Sequence, residues 1–175
     1  YMEPTYPTPG VAMLGNSWSW IGETKGGIMD ILRSALVTGE IYHVFSKSIA
    51  EFEIFNNESE FSRMKDVIQY YQTEKRGISF SKFQENKIER SPSIKELVEI
   101  VCYCIMPTHI HLVLKQLKDR GISDFMRRIL DSYTHYFNIK HHRKGPLWEG
   151  SFKRVLVKSD EQLLHLTRYV HLNLP

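Results

Sequence analysis

The chain has 175 residues and a mass of 20.6 kDa, with 42% hydrophobic, 25% charged and 12% aromatic residues and a mean hydropathy of −0.34. That balance excludes a disordered polymer, a collagen-like repeat and a disulfide-stapled miniprotein, and a chain of this length buries roughly 70% of its unfolded surface without covalent help. The net charge is only +3, but residues 115–154 hold ten Lys/Arg against four acids, which leaves the remainder at −3.

No apolar run approaches the ~20 residues that span a bilayer, and no secretory pattern opens the sequence. Cys102 and Cys104 are one residue apart inside an apolar run. On a strand they share a face as small hydrophobes, with geometry unsuited to a bridge, so a reducing, cytoplasmic compartment is the simplest expectation.

Residues 1–33 differ in character from the rest of the chain. Pro4, Pro7 and Pro9 fall there with Gly10, Gly15, Gly22, Gly26 and Gly27, and the apolar residues show no clear period. They read as an irregular extension, a lid or a leader, ahead of the main domain over 34–175. Ile41–Ile49 is rich in β-branched and aromatic residues and predicts a strand. Asn57 then precedes a helical pattern of Phe61, Met64, Val67, Ile68 and Tyr71. Lys75–Ser93 is polar and predicts a loop with room for a short helix. Glu99–Ile105 and His109–Lys115 read as strands joined tightly by Met106-Pro107-Thr108. A second helix is expected over Ser123–Lys140, N-capped by Ser123, with Phe125, Met126, Ile129, Leu130, Tyr133 and Phe137 as its apolar stripe. A basic loop, a strand over Phe152–Val157 and a helix from Asp160 to about Leu172 complete the chain. The order β-α-β-β-α-β-α predicts an α+β fold, an antiparallel four-stranded sheet with helices on one face.

The sharpest chemical feature is His109-Ile110-His111-Leu112-Val113-Leu114. Alternate strand side chains share a face, so His109 and His111 point one way and Ile110, Leu112 and Leu114 the other. The aliphatics suit a helix-covered face, and the imidazoles then stand together on the opposite one, as two metal ligands do. Two surface histidines on a half-buried strand give the same pattern. A zinc hydrolase built on this pair is disfavoured, because no H-x-x-x-D-H or H-E-x-x-H partner accompanies it.

Four ordered segments carry a resemblance. Cys102-Tyr-Cys-Ile-Met-Pro-Thr-His-Ile-His-Leu-Val-Leu114, Tyr42-His43-Val44, Gly145-Pro-Leu-Trp-Glu-Gly-Ser-Phe-Lys153 and Arg168-Tyr-Val-His-Leu-Asn173 together resemble the HUH single-tyrosine transposases, in their REP-associated branch, over residues 34–175. Thr108 stands where that pattern usually has Asn, and Leu174 separates Asn173 from Pro175. The resemblance implies a ferredoxin-like or RRM-like HUH fold. It also implies a tyrosine that attacks single-stranded DNA to give a 5′-phosphotyrosine, and a divalent metal (Mg²⁺ or Mn²⁺) at the scissile phosphate. Tyr169 is then the catalytic nucleophile, with His109, His111 and Asn173 as metal ligands; His165, four residues before Tyr169, is a second candidate for the third ligand. The partner is single-stranded DNA in hairpin form, the assembly a monomer or a homodimer, and no membrane is involved.

Tyr133 and Tyr136 are rival nucleophiles, although Tyr133 falls on an apolar stripe. Arg127, Arg128, Lys140, Arg143, Lys144, Lys153 and Arg154 are the expected phosphate contacts, because basic charge mixed with rings suits a nucleic-acid groove. A solvated helix face gives the same composition. Trp148 reads equally as a base-stacking platform or a core plug. A non-catalytic single-strand-binding module of the same fold is the alternative function.

Overall fold

A computed structural model describes residues 11–14, 17–20, 35–74, 78–85 and 95–172. The chain divides into two compact units, Tyr1–Ala35 and Leu36–Pro175. In the first, β1 (Val11–Leu14) and β2 (Ser17–Trp20) pair antiparallel.

The second unit is built on an antiparallel sheet of order β4-β5-β3-β6. Its strands are β3 (Ile41–Lys47), β4 (Val98–Met106), β5 (His109–Gln116) and β6 (Lys153–Leu156). The helices are α1 (Glu58–Tyr71), α2 (Phe80–Glu85), α3 (Gly121–Lys140) and α4 (Asp160–Leu172). The α+β class and the four-stranded antiparallel sheet agree with the sequence pattern. Among the described residues no helix is long and apolar enough to cross a membrane.

Alternation along the strands sorts the two faces. Tyr42 and Val44 of β3 and Ile110, Leu112 and Leu114 of β5 join Phe125, Met126, Ile129, Tyr133 and Phe137 of α3, with Met64, Val67 and Ile68 of α1, in the main core. The opposite face carries a smaller cluster, in which Cys102, Cys104 and Val113 meet Val157 and Leu166, Val170 and Tyr169 of α4. So α1 and α3 cover one face, and α4 lies across the other. A bulge makes this division work on β4: Ile100 is paired with Leu114 but Cys102 with Val113, so Val101 is the extra residue. The inserted residue flips the alternation, sending Ile100 to the main core and both buried cysteines to the α4 side.

Asn57 caps α1 as expected, its Oδ1 accepting from the Glu60 N–H at 3.3 Å. Ser123 does not cap α3, which begins two residues earlier after Arg120 in the left-handed region (φ 58°). The cap comes from the end of β5, six residues back: buried Gln116 accepts from the Ile122 N–H through Oε1 at 3.2 Å, while its Nε2 donates to the Leu36 carbonyl at 3.0 Å. A strand glutamine thus replaces the local Ser/Asp signal on which sequence reading depends. Gly121 is required here, because a Cβ at that position would fall on the Leu97 carbonyl oxygen, a backbone atom that has no rotamer by which to move aside. Gly121→Ala should cost about 1–3 kcal/mol, the scale of overpacking a tight core contact, read as a lowered midpoint in urea with an unchanged slope.

Glu60 is fully buried at the far end of the helical layer. Its carboxylate accepts from the Asn56 N–H at 2.7 Å and meets Lys140 Nζ at 2.9 Å and His141 Nε2 at 2.7 Å. Burial opposes its ionisation, but the Asn56, Lys140 and His141 hydrogen bonds outweigh that and hold its pKa near about 2, against an ordinary 4.5. A carboxylate depressed on folding stabilises fully above its unfolded pKa and loses that contribution as pH falls through the folded one. Stability should therefore decline from about pH 4.5 toward 2, and Glu60→Gln should flatten that slope in pH-dependent urea titrations. At neutral pH, Glu60→Ala should cost about 3 kcal/mol, as when a buried ion pair loses one partner.

Candidate active site on the sheet face beneath α4

Register fixes the site. On β5, His109 and His111 lie opposite Lys47 and Phe45 of β3 and opposite Met106 and Cys104 of β4. Residues directly opposite share a face, so His43, Phe45 and Lys47 stand on the same side of the sheet as the two β5 histidines. Lys153 of β6, opposite Phe45, joins them. The His109 and His111 rings are 5.0 Å apart and nearly perpendicular. The expected pairing of these imidazoles on the face away from the main core is therefore realised.

Each imidazole has its Nδ1 engaged. His111 Nδ1 shares a hydrogen bond with His43 Nε2 at 2.9 Å, and His109 Nδ1 shares one with Thr108 Oγ1 at 2.8 Å. His43 and His111 are buried, 6% and 8% exposed, whereas His109 at the strand's start is half-buried. Burial pushes the pKa of all three down, His43 to about 4 and His111 well below 6.5; the charges of His43, His109 and Lys47 depress His111 further. At neutral pH these rings are neutral, the state in which imidazole offers a lone pair to a metal.

Tyr169 enters from α4. Its ring meets His111 edge-on, with centroids 6.1 Å apart and planes at 87°. Leu166 and Val170 anchor the helix on Cys102, Cys104 and Val113, which sets the tyrosine edge-on to His111. Burial raises the Tyr169 pKa, with Cys104 adding to it. Its side chain is thus a phenol at neutral pH and must lose its proton as it reacts.

The rival tyrosines lie on the other side of the sheet. Tyr133 is fully buried in the main core and donates its hydroxyl to the Ile54 carbonyl at 2.5 Å. Tyr136 packs beside that core under the Arg63 guanidinium, 5.0 Å from its ring. His165 is exposed, so α4 does not deliver it to the histidine pair. Asn173 lies outside the described residues.

The expected phosphate contacts scatter. Arg127, Arg128 and Lys140 belong to α3, across the sheet from the histidines. Arg127 pairs with Asp124 at 3.7 Å, Arg128 donates to the Thr73 carbonyl at 3.3 Å, and Lys140 is held by buried Glu60. Arg143 donates to the Pro146 carbonyl at 3.2 Å, and Lys144 is exposed on the same loop. Arg154 is opposite Val44, on the main-core side of edge strand β6. Only Lys153 of this set stands on the histidine face. Of the two readings of Trp148, the structure favours the core plug: it is 8% exposed, packs into the main core against Phe55 and Tyr133, and donates its indole N–H to the Leu130 carbonyl at 3.2 Å. Buried in this way, the ring leaves little surface for a base to stack on. The sequence reading missed His43, Phe45 and Lys47, whose i, i+2, i+4 spacing on a strand was the available signal.

Among the described residues no group of three or more His, Cys, Asp or Glu side chains is arranged to hold a metal ion. The fit is that of a two-imidazole donor set. With both Nδ1 atoms taken, His109 and His111 each have Nε2 to offer, and remaining positions would fall to water, phosphate oxygen or a residue beyond Leu172.

Comparison with known proteins gives one family and a fold. The family model for IS200-like transposases matches residues 82–173. A solved REP-associated tyrosine transposase bound to a REP hairpin superposes with a TM-score of 0.55 at 14% identity, covering 81% of this chain and 70% of that one. A transposase structure from Deinococcus radiodurans R1 gives a TM-score of 0.45 at 17% identity, covering 79% of this chain and 93% of that one. No curated protein matches.

Proposed function

We propose that this chain, which belongs to the IS200-like transposase family, nicks single-stranded DNA at a hairpin-bearing site and transfers the strand through a covalent bond to Tyr169. The observation that carries this reading is the meeting of Tyr169 with His111, from elements about sixty residues apart, on a face the main core leaves open. Packing alone would be served equally by any apolar residue at 169. A phenol edge-on to the neutral His111 imidazole is the placement a nucleophile beside metal ligands would take, which supports the reading.

In the proposed reaction the Tyr169 oxygen attacks the scissile phosphorus and the bond to the 3′ oxygen breaks. The phenol proton passes to solvent, the departing 3′ oxygen takes one up, and the 5′ phosphate remains on tyrosine. His109 and His111 would hold Mg²⁺ or Mn²⁺, with Asn173, four residues beyond Tyr169, as the third protein ligand. When bound, such a cation withdraws charge from a non-bridging phosphate oxygen, which a neutral nucleophile of pKa above 10 requires. Lys47 and Lys153 bring positive charge to the same face for the flanking phosphates. The REP-hairpin-bound neighbour, though it shares only the fold, supports a hairpin as substrate.

The test is incubation of end-labelled single-stranded hairpins with the protein and Mn²⁺ or Mg²⁺, resolved on a denaturing gel. Cleaved product and a slow-migrating protein–DNA species are expected. Hairpin affinity should fall with salt by about 0.7 in log–log slope for every phosphate neutralised, with blunt duplex competing poorly. Tight hairpin binding without cleavage under any divalent cation would instead identify a non-catalytic binding module.

A further inference from the structure

We propose that His43 is a positioning residue for the metal site, setting the tautomer and orientation of His111. The inference rests on the reading of His111 as a ligand. It starts from a side chain that packing does not explain: His43 is 6% exposed on β3, and its Nδ1 has no hydrogen-bond partner among the described residues. A buried imidazole with one nitrogen orphaned is a poor core residue when a leucine or phenylalanine would fill the same place. Its other nitrogen has a specific task. Nε2 sits 2.9 Å from His111 Nδ1, the rings lie nearly parallel at 17°, and Phe45 stacks on His111 beside them.

The proton count gives the bond a direction. Each neutral ring carries one N–H. With His111 unligated, the favoured arrangement has His43 Nε2–H donating to His111 Nδ1, because the orphaned His43 Nδ1 is then a bare lone pair and not a buried N–H without an acceptor. His111 then holds its proton on Nε2, the nitrogen that His43 leaves for a cation. For His111 Nε2 to ligate, that nitrogen must be bare, so the His111 proton must stand on Nδ1 and donate to His43 Nε2, while the His43 proton moves to Nδ1. Two protons are present before and two after, so this pair releases none. His43 is able to make that exchange because imidazole can either donate or accept at the same nitrogen. A leucine could do neither. Thr108 offers His109 the same two-way hydrogen bond, through a hydroxyl that rotates.

The experiment separates this inference from the parent reading by measuring cation binding directly, with Mn²⁺ as probe, by calorimetry and electron paramagnetic resonance without DNA. Wild type should bind. His43→Phe should bind about 10- to 100-fold more weakly, the usual effect of losing a ligand's outer partner. His43→Gln, whose carbonyl can accept from His111 Nδ1–H, should recover most of the affinity. Unfolding midpoints in EDTA are measured for all three, since a purely structural role predicts that they, and not the affinities, change. Nitrogen-15 spectra of the wild-type imidazoles, recorded with and without Zn²⁺ as a diamagnetic probe, give a readout independent of any variant. The His43 proton should move from Nε2 to Nδ1 when the cation binds. Undiminished Mn²⁺ affinity in His43→Phe, or a His43 tautomer unchanged by Zn²⁺, overturns the proposal. Absence of Mn²⁺ binding by wild type, with or without hairpin, would instead remove the metal reading on which it stands.

Discussion

Tyr169→Phe is expected to abolish the covalent protein–DNA species while leaving the fold and hairpin binding intact. The substitution deletes one oxygen. The ring remains, so the edge-on contact with His111 and the anchoring of α4 through Leu166 and Val170 on Cys102, Cys104 and Val113 persist. Loss of one half-buried hydroxyl should change stability by no more than about 1 kcal/mol. Loss of the attacking atom should reduce cleavage by at least about 10³-fold, the scale on which enzymes respond to removal of their nucleophile. The decisive measurement is mass spectrometry of the trapped wild-type adduct, with the modified peptide expected to be that of α4. Tyr133→Phe is the informative control. It breaks the hydroxyl's bond to the Ile54 carbonyl in the main core, so it should lower stability without removing the adduct. An adduct on Tyr133 or Tyr136 would place the chemistry on the other side of the sheet and defeat the proposed site.

Local patterning carried much of this arrangement into the sequence, and non-local pairing carried what the sequence withheld. The alternation His109-Ile110-His111-Leu112-Val113-Leu114 is a property of one strand, so the split between imidazoles and aliphatics could be read without partners. The stripe Phe125, Met126, Ile129, Tyr133 and Phe137 likewise announced α3 and its buried side. The start of α3 was illegible because its cap is Gln116, supplied by a strand. The bulge at Val101 was equally hidden, since it is defined only by what lies opposite. Ser17-Trp18-Ser19-Trp20 did alternate with period two, yet four residues are too few to outweigh the glycines and prolines around them. In the site, His43 was visible as a letter but not as a partner of His111, because that relation depends on the β3–β5 register. Lys140 and Trp148 have internal partners that composition does not reveal, and for Trp148 the sequence left both readings open. A basic or aromatic residue beside a basic loop looks like a nucleic-acid contact until the buried carboxylate of Glu60 or the carbonyl of Leu130 is found to claim it. Charge composition locates cations along the chain, and only the fold assigns them to a face.

His109→Ala and His111→Ala should both remove cleavage, and should differ in what they do to the fold. On the proposed reading each deletes one of two imidazole ligands, and losses of at least about 10²-fold are expected when a group that stabilises developing charge is removed. Hairpin binding should largely survive in both, because the lysines on the histidine face are untouched. His109 is half-buried at the edge of the site and bonded to Thr108, so its removal should leave the unfolding midpoint nearly unchanged. His111 is buried between Phe45, His43 and Tyr169, and its truncation opens a cavity and leaves His43 Nε2 without a partner beside the already orphaned Nδ1. Stranding a buried polar group costs about 1–3 kcal/mol, which for a unit of this size lowers the midpoint by several degrees. Wild-type cleavage should vanish in EDTA and return with Mn²⁺ at least as well as with Mg²⁺, since imidazole nitrogen suits the former better and Mg²⁺ favours oxygen. Thermal unfolding and gel assays run in parallel on the same preparations provide the check. Undiminished cleavage by His109→Ala, whose fold is expected to be intact, would mean that the pair does not act on the phosphate, as would undiminished wild-type cleavage in EDTA.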